Sequence, residues 1–525
     1  MAFRSPTTAA CAHRPPPAKP DPSCPPQSKV VYNRRRPELT ALHRIIQAEF
    51  PRVERLCREA GDGHPLPEFI SRAFKRYCDC GRLVRGLVRL HCPACRQDEL
   101  VALSCKVRGL CPSCDGRRMT EESAHLLDEV IPHVPVRQWV LSLPYDLRYL
   151  LAWNRELRSA VLGAFMRAIH AHYRDQAKTA GLGEPKTGPI SVVQRFNSAV
   201  QLDVHFHVLF ADGVWEDRPS GPVFHSAPPL HTIDVQQVLY DAWLRIGRQL
   251  VRLGYQDRDL DTLRDTEPAL ASLLRAAVSG RQVTGDEAGQ KPKRVGAGQK
   301  LAPRPHGRNC AQFDAFSLHA NTRVGAAARA DLERLVRYVC RPAVSASRIE
   351  AVEGGKVRIE LKNSWRDGTT HVVIPRADLV LRMAAQVPLP KRPSVRYHGC
   401  FAPNAKLRSK IVPAGDKAKC RRKKGSDPGE LSERQTSTRM LYAEAMRRGL
   451  SIDVLACPCG GRRVVLAAVM DAQQVERILR HVGLWPDSED IESIRGPPED
   501  LWGLDPAESD DFDALDELPP LDHAA

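Results

Sequence analysis

Apolar residues in positions 39–77 recur at helical spacing, Leu42, Ile45, Ile46 and Phe50 among them, which predicts short helices. A cysteine-dense stretch follows at 78–114, with strand-like pieces such as 87–90, and 125–131 reads as a helix stopped by Pro132 and Pro135. From Gln138 the signal changes: 138–143 is strand-like, 147–173 is a long helical stretch, and 191–210 is strand-rich. Strand, helix, strand, strand in that order predicts an α+β sheet domain. Further helices are expected over 235–253 and 326–340, the latter ended by Pro342. Residues 357–361 and 370–375 read as paired strands turned at Asp367-Gly368. Residues 280–308, rich in Gly, Lys and Pro, read as a mobile linker.

Charge sharpens this picture. The formal net charge of the 525 residues is +16. Residues 487–522 hold 14 acids against one base, Arg495, so removing that tail's −13 leaves +29 on residues 1–486. A body that basic suits a polyanion, because each Lys or Arg set on a phosphate releases a counterion. The run 406–424 alone holds nine Lys or Arg and one acid, Asp416, and suits either a solvated loop or a DNA-backbone contact. No run of 18 apolar residues occurs, so no membrane span is expected. The Pro- and Ala-rich start lacks a signal-peptide core, and the cytoplasm is the expected compartment.

In a reducing compartment the 16 cysteines are read for metal rather than disulfides. Cys92-x2-Cys95, fifteen residues, then Cys111-x2-Cys114 has the spacing of a four-thiolate Zn²⁺ site, two tight knuckles closing one tetrahedron. Such a shell has no open position, so its expected role is structural or DNA-docking. Cys80 and Cys105 lie beside it. They are candidate ligands of a second ion, with Cys78, His91 or His125, or else buried thiols.

Residues 201–210 alternate. Leu202, Val204, Phe206, Val208 and Phe210 form an apolar face, while Gln201, Asp203, His205 and His207 share the other. The strand rise separates the two imidazoles by about 7 Å, a pair suited to a divalent cation with open positions for phosphate oxygens. The third ligand is Asp203 or Gln194. In 331–342 an inward stripe of Leu332, Leu335, Val336 and Val339 leaves Tyr338 at its edge, in the last turn before Pro342 and within helical reach of Arg334 and Arg341. A phenol among guanidiniums is placed to meet a phosphate. Arg334, Arg337 and Arg341 are the DNA-phosphate candidates.

Together these segments resemble the rolling-circle transposases of the insertion sequence 91 family, within the His-hydrophobic-His ("HUH") endonucleases. The resemblance rests on Cys92-Pro-Ala-Cys95, Ser104-Cys105-Lys106, Cys111-Pro-Ser-Cys114, residues 135–144, Gln194-Arg-Phe196 and His205-Phe-His207. It continues through Arg337-Tyr338 with Arg341-Pro342, Trp365-Arg-Asp-Gly368 and Tyr397-His-Gly399 with Ala402-Pro403. It implies an α+β fold: an HUH-type catalytic domain with a central antiparallel sheet flanked by helices, after a small zinc-binding domain. It further implies Mg²⁺ or Mn²⁺ on His205 and His207, and a 5′-phosphotyrosine link from Tyr338 to cleaved single-stranded DNA. The implied setting is a bacterial cytoplasm, at the nucleoid. Some members carry a second tyrosine four residues earlier; Arg334 stands there, implying a single-tyrosine form. Asp203 stands where the family's usual residue resembles Asn.

The expected organisation is a disordered basic start (1–36), a helical and zinc-binding unit (37–130), and the catalytic domain (135–400, with the linker 280–308). A basic C-terminal segment (401–485) and a disordered acidic tail (486–525) complete it. Absence of a G-x-x-x-x-G-K-[ST] loop fits chemistry that needs no ATP. The rival readings are a replication initiator or relaxase, a tyrosine recombinase, and a non-catalytic zinc-dependent DNA-binding protein.

Overall fold

The computed structural model describes residues 36–255, 262–296, 307–365, 367–390, 393–413, 442–450 and 452–485. The expectations for the N-terminal 35 residues, for the basic run beyond 413 and for the acidic tail lie outside the described residues. The fold is α+β, with helices around antiparallel sheets.

Helix α1 (Ala41–Ala60) starts where the Thr40 side chain accepts from the His43 amide. It packs on α2 (Glu68–Cys78), with Phe50 stacked on Phe74 at 4.0 Å. The hairpin β1 (Leu87–His91) and β2 (Asp98–Ala102) follows, then α3 (Pro112–Glu129). The helix expected at 125–131 begins much earlier, because Pro112 at its first position favours helix initiation.

The small sheet is not complete within residues 37–130. Its third strand, β16 (Val464–Val469), arrives from the far end of the chain and pairs antiparallel with β1, Leu87 opposite Val469. Helix α13 (Ala472–His481) follows and sets Val475 and Leu479 against Leu83 and Leu87. The separate units 37–130 and 401–485 are therefore corrected. β2 covers only one edge of β1, and the open edge and the apolar Leu83 and Leu87 need a cover.

The larger sheet runs β15-β4-β5-β3-β10-β9, with β11 also beside β3. Its strands are β3 (Val136–Ser142), β4 (Pro189–Phe196), β5 (Leu202–Ala211), β9 (Cys310–Phe313), β10 (Phe316–His319), β11 (Arg323–Val324) and β15 (Val395–Tyr397). Between β3 and β4 the long helical stretch breaks into α4 (Tyr145–Trp153) and α5 (Arg155–Thr179). Asn154 leaves helical geometry to accept from the Leu157 amide at 2.9 Å. The apolar face of β5 joins Trp139, Leu141 and Phe165 in the main core, where Phe210 stacks on Tyr173 at 4.3 Å. Helix α6 (Thr232–Arg252) lies on the same side.

The opposite face receives α9 (Arg329–Val339). Leu332, Leu335, Val336 and Val339 pack with Val192, Leu209 and Ala211 of the sheet and Leu126 and Leu127 of α3. At one end of the sheet the buried Asp212 carboxylate accepts from Arg137 (2.9 and 3.1 Å), Tyr173 (2.7 Å) and Arg323 (2.7 Å).

A second sheet, β12 (Ile349–Val352), β13 (Lys356–Glu360), β14 (His371–Pro375) and β8 (Lys293–Val295), includes the expected strand pair. It also corrects the mobile linker for its first part. β8 pairs with β14, and the buried Asp378 of α10 (Arg376–Gln386) accepts from the amides of Val283 (2.8 Å) and Thr284 (3.0 Å). Residues 297–306 of that stretch lie outside the described residues. Among the described residues no helix is long and apolar enough to cross a membrane.

Candidate active site and metal centres

The central strand β5 brings His205 and His207 to the face covered by α9. His205 sits between Gln194 of β4 and Ser142 of β3; His207 sits between Val192 and Val140. The rings lie closer than the strand rise implies, with centroids 4.9 Å apart, because they tilt towards each other at 63°. His205 Nδ1 bonds the Asp203 carbonyl at 2.9 Å, so that nitrogen carries the hydrogen and Nε2 keeps its lone pair. His207 Nδ1 lies 2.8 Å from the Gln138 amide. Among the described residues the buried Gln138 Oε1 and His207 Nε2 have no hydrogen-bond partner. Turning the amide end for end sets Oε1 on an Nδ1–H and frees Nε2 as a ligand. Burial lowers the basicity of both rings; for His207 the charges of His205 and Arg341 push it further down, so both are neutral, as ligands must be.

Tyr338 is half-buried in the last turn of α9, its ring edge-on to His207 with centroids 6.1 Å apart. Arg341 lies over its ring at 4.4 Å, as does the exposed Lys362 Nζ at 4.4 Å. Gln194 Nε2 donates to the carbonyls of Val339 (2.8 Å) and Tyr338 (3.3 Å), while its Oε1 is buried without a partner. Two imidazole nitrogens and an amide oxygen suit a hard or borderline divalent ion with open positions.

The other site expectations separate. Asp203 pairs with Arg148 at 3.3 Å, and it forms no three-residue ligand group with the histidines among the described residues. Arg341 is at the site. Arg334 is exposed and pairs with Asp331, while the buried Arg337 pairs with Glu333 at 2.8 Å and donates to the Arg448 carbonyl. Sequence reasoning missed Gln138, Lys362 and Arg148, whose roles depend on strand register and on loops from distant parts of the chain.

The cysteines form two clusters rather than the expected set of Cys92, Cys95, Cys111 and Cys114. Cys80, Cys105, Cys111 and Cys114 are buried together, and Cys92 and Cys95 meet Cys457 and Cys459. In each group all sulfurs lie within 4.8 Å of one another. Measured separations are 3.5 Å (Cys105 to Cys114), 3.7 Å (Cys80 to Cys111) and 3.6 Å (Cys92 to Cys459 and Cys95 to Cys457). A Zn–S bond of about 2.3 Å sets tetrahedral corners about 3.8 Å apart, so both clusters fit zinc. Hydrogen bonding from Cys105 pulls Cys80, Cys111 and Cys114 below the ordinary thiol range. The physical reason for the regrouping is that β1 and β2 separate the two knuckles. Each then finds its partners elsewhere: Cys80 and Cys105 flank the hairpin, and Cys457-Pro-Cys459-Gly-Gly leads into β16. That last motif was a visible signal that went unread.

Comparison with known families agrees with this division. Residues 50–143 match the family model described as "Transposase zinc-binding domain", and residues 188–409 match that described as "Putative transposase". No curated protein and no solved structure matches the chain. The second match holds the histidine strand and the tyrosine helix, and the first holds the knuckles Cys92-x2-Cys95 and Cys111-x2-Cys114. The two matches together support an insertion sequence 91 family transposase with that family's zinc-binding domain in its N-terminal part.

Proposed function

We propose that this transposase cleaves and rejoins single-stranded DNA through a 5′-phosphotyrosine formed on Tyr338, for rolling-circle transposition. The observation that carries the reading is the edge-on contact of the Tyr338 and His207 rings beneath Arg341 and Lys362. His205, His207 and Gln194 would hold Mg²⁺ or Mn²⁺, which when bound polarises the scissile phosphate and orients it. Tyr338 Oη attacks phosphorus and the P–O3′ bond breaks. The phenol proton passes to solvent and the leaving 3′ oxygen takes one up, so the step is neutral in bond count and needs no ATP. Arg341 and Lys362 neutralise the phosphate charge as it shifts between oxygens. Gln194 fixes the tyrosine turn against the histidine strand. A second strand's 3′-OH then attacks the phosphotyrosine and releases the enzyme. Both cysteine clusters hold structural Zn²⁺, and the site of action is chromosomal DNA in the bacterial cytoplasm.

The test uses 3′-labelled single-stranded element-end DNA with Mn²⁺, followed by denaturing electrophoresis. A protein-sized adduct is expected from the wild type, and none from Tyr338→Phe or with chelator. Adducts from the phenylalanine variant would refute the assignment.

A further inference from the structure

Beside the proposed site, and sharing Gln194 and Arg341 with it, lies a cavity whose other lining residues have no part in the strand-cleavage chemistry. β15 pairs with β4 from Ile190 to Val192, and among the described residues no strand pairs with that edge of β4 at Gln194 and Arg195. Over it opens a cavity of about 150 Å³, walled by the start of α3 and loop 108–109 on the zinc module and by Gln386, Pro388, Leu389, Pro393, Ser394 and Arg396 on the other side. Six arginines reach it: Arg108, Arg118, Arg158, Arg195, Arg341 and Arg396, against two acids, Asp115 and Glu122. Arg118 is paired with Asp115 at 2.6 Å.

Arg195 has neutral acceptors, the carbonyls of Ala152 (2.6 Å) and Ala385 (2.8 Å), and its Nε is buried without a partner. Gln194 Oε1 and Gln386 Oε1 are also buried without partners, and their residues line the same space. Buried polar atoms are almost always satisfied, so the Arg195 Nε–H marks a place for a guest that accepts hydrogen bonds, while the Gln194 oxygen is the one assigned above to the metal. The excess of arginines makes that guest an anion. The zinc module's wall is held by a close approach: Gly109 has φ +75°, and a Cβ there would meet the Gln386 carbonyl oxygen at 2.4 Å. Gln194 and Arg341 belong to this cavity and to the proposed active site alike.

We propose that the cavity seats the nucleotide adjoining the scissile phosphate in single-stranded DNA, its backbone phosphate on Arg108, Arg195 and Arg396. The inference rests on the strand-cleavage reading for its register, and on the cavity for its residues. The space is too narrow for a duplex, which makes the zinc module one jaw of a single-strand channel.

The test measures binding alone, so that it does not depend on cleavage. In full-length Tyr338→Phe protein loaded with Zn²⁺, fluorescein-labelled single-stranded element-end DNA is titrated at several salt concentrations and followed by anisotropy. Adding Arg108→Ala with Arg396→Ala, both on the rim, should weaken binding about tenfold and lower the salt slope by about 0.7, one phosphate's share on a single strand. Adding Arg245→Ala with Arg248→Ala on α6, across the sheet, should change neither. Unchanged affinity and slope in the rim variant would overturn the proposal, as would an equal loss in the α6 variant. Failure of wild-type protein to form adducts bears on the cleavage reading and not on this measurement.

Discussion

Gln194 Nε2 donates to the Val339 carbonyl oxygen at 2.8 Å, tying the strand beside His205 to the turn that holds Tyr338. Gln194→Ala is expected to cut adduct formation at least a hundredfold, because it removes both a candidate ligand and the link that sets the phenol's position. The check is adduct yield alongside Mn²⁺ binding by electron paramagnetic resonance. Full activity with unaltered Mn²⁺ affinity would remove Gln194 from the site.

The arginines of the tyrosine helix should separate by their surroundings. Arg341→Ala is expected to lower the rate of adduct formation by about a hundredfold with little change in stability, as loss of a single charge-stabilising group does. Arg337→Ala removes a half-buried ion pair with Glu333, which keeps Arg448 nearby, and a bond to the Arg448 carbonyl; it should destabilise by about 1.5 kcal/mol while the folded fraction keeps its activity. Urea unfolding and single-turnover rates on both variants decide. The reverse pattern would place Arg337, not Arg341, on the DNA.

Two zinc ions per chain are expected by elemental analysis. The double substitution Cys457→Ser with Cys459→Ser should leave one, since Cys80, Cys105, Cys111 and Cys114 form a complete shell elsewhere. The same variant should release β16 from β1, read as faster proteolysis between residues 451 and 485. Two zincs retained in that variant would contradict the grouping.

Asp212 supplies a pH-dependent contribution. Burial opposes its ionisation, but Arg137, Tyr173 and Arg323 outweigh it and hold the carboxyl below its ordinary value. A carboxyl depressed in the folded state adds stability that is present above the unfolded value of about 4 and is lost as pH falls through the folded one. Thermal melts of the wild type should therefore drop steeply below about pH 4. Asp212→Asn should be less stable at pH 7 by about 3 kcal/mol, with a flatter acid limb. Equal acid limbs for the two proteins would exclude Asp212 as the cause.

Much of the candidate site was legible because its signals are local. His205 and His207 announce themselves by strand alternation, and Tyr338 by its place at the edge of a helical stripe, since side-chain direction follows from backbone period. The Asn154 break inside one helical pattern was not legible, because a cap residue can also continue a helix and only its conformation decides. Nor was the anchoring of residues 280–296. A Gly-, Lys- and Pro-rich stretch looks mobile until Asp378, more than ninety residues away, accepts its amides.

Local pattern alone pointed to the candidate residues: the imidazole pair, the phenol and the cysteine knuckles. Which of them meet was left to the tertiary structure. Cys92 shares its cluster with Cys459 and not with Cys111, and Gln194 rather than Asp203 lies between the histidines and the tyrosine turn. The physical reason is that ligand sets and hydrogen bonds depend on distances set by strand pairing and core packing between remote segments. Spacing along the chain constrains those distances only within a single turn, hairpin or helix.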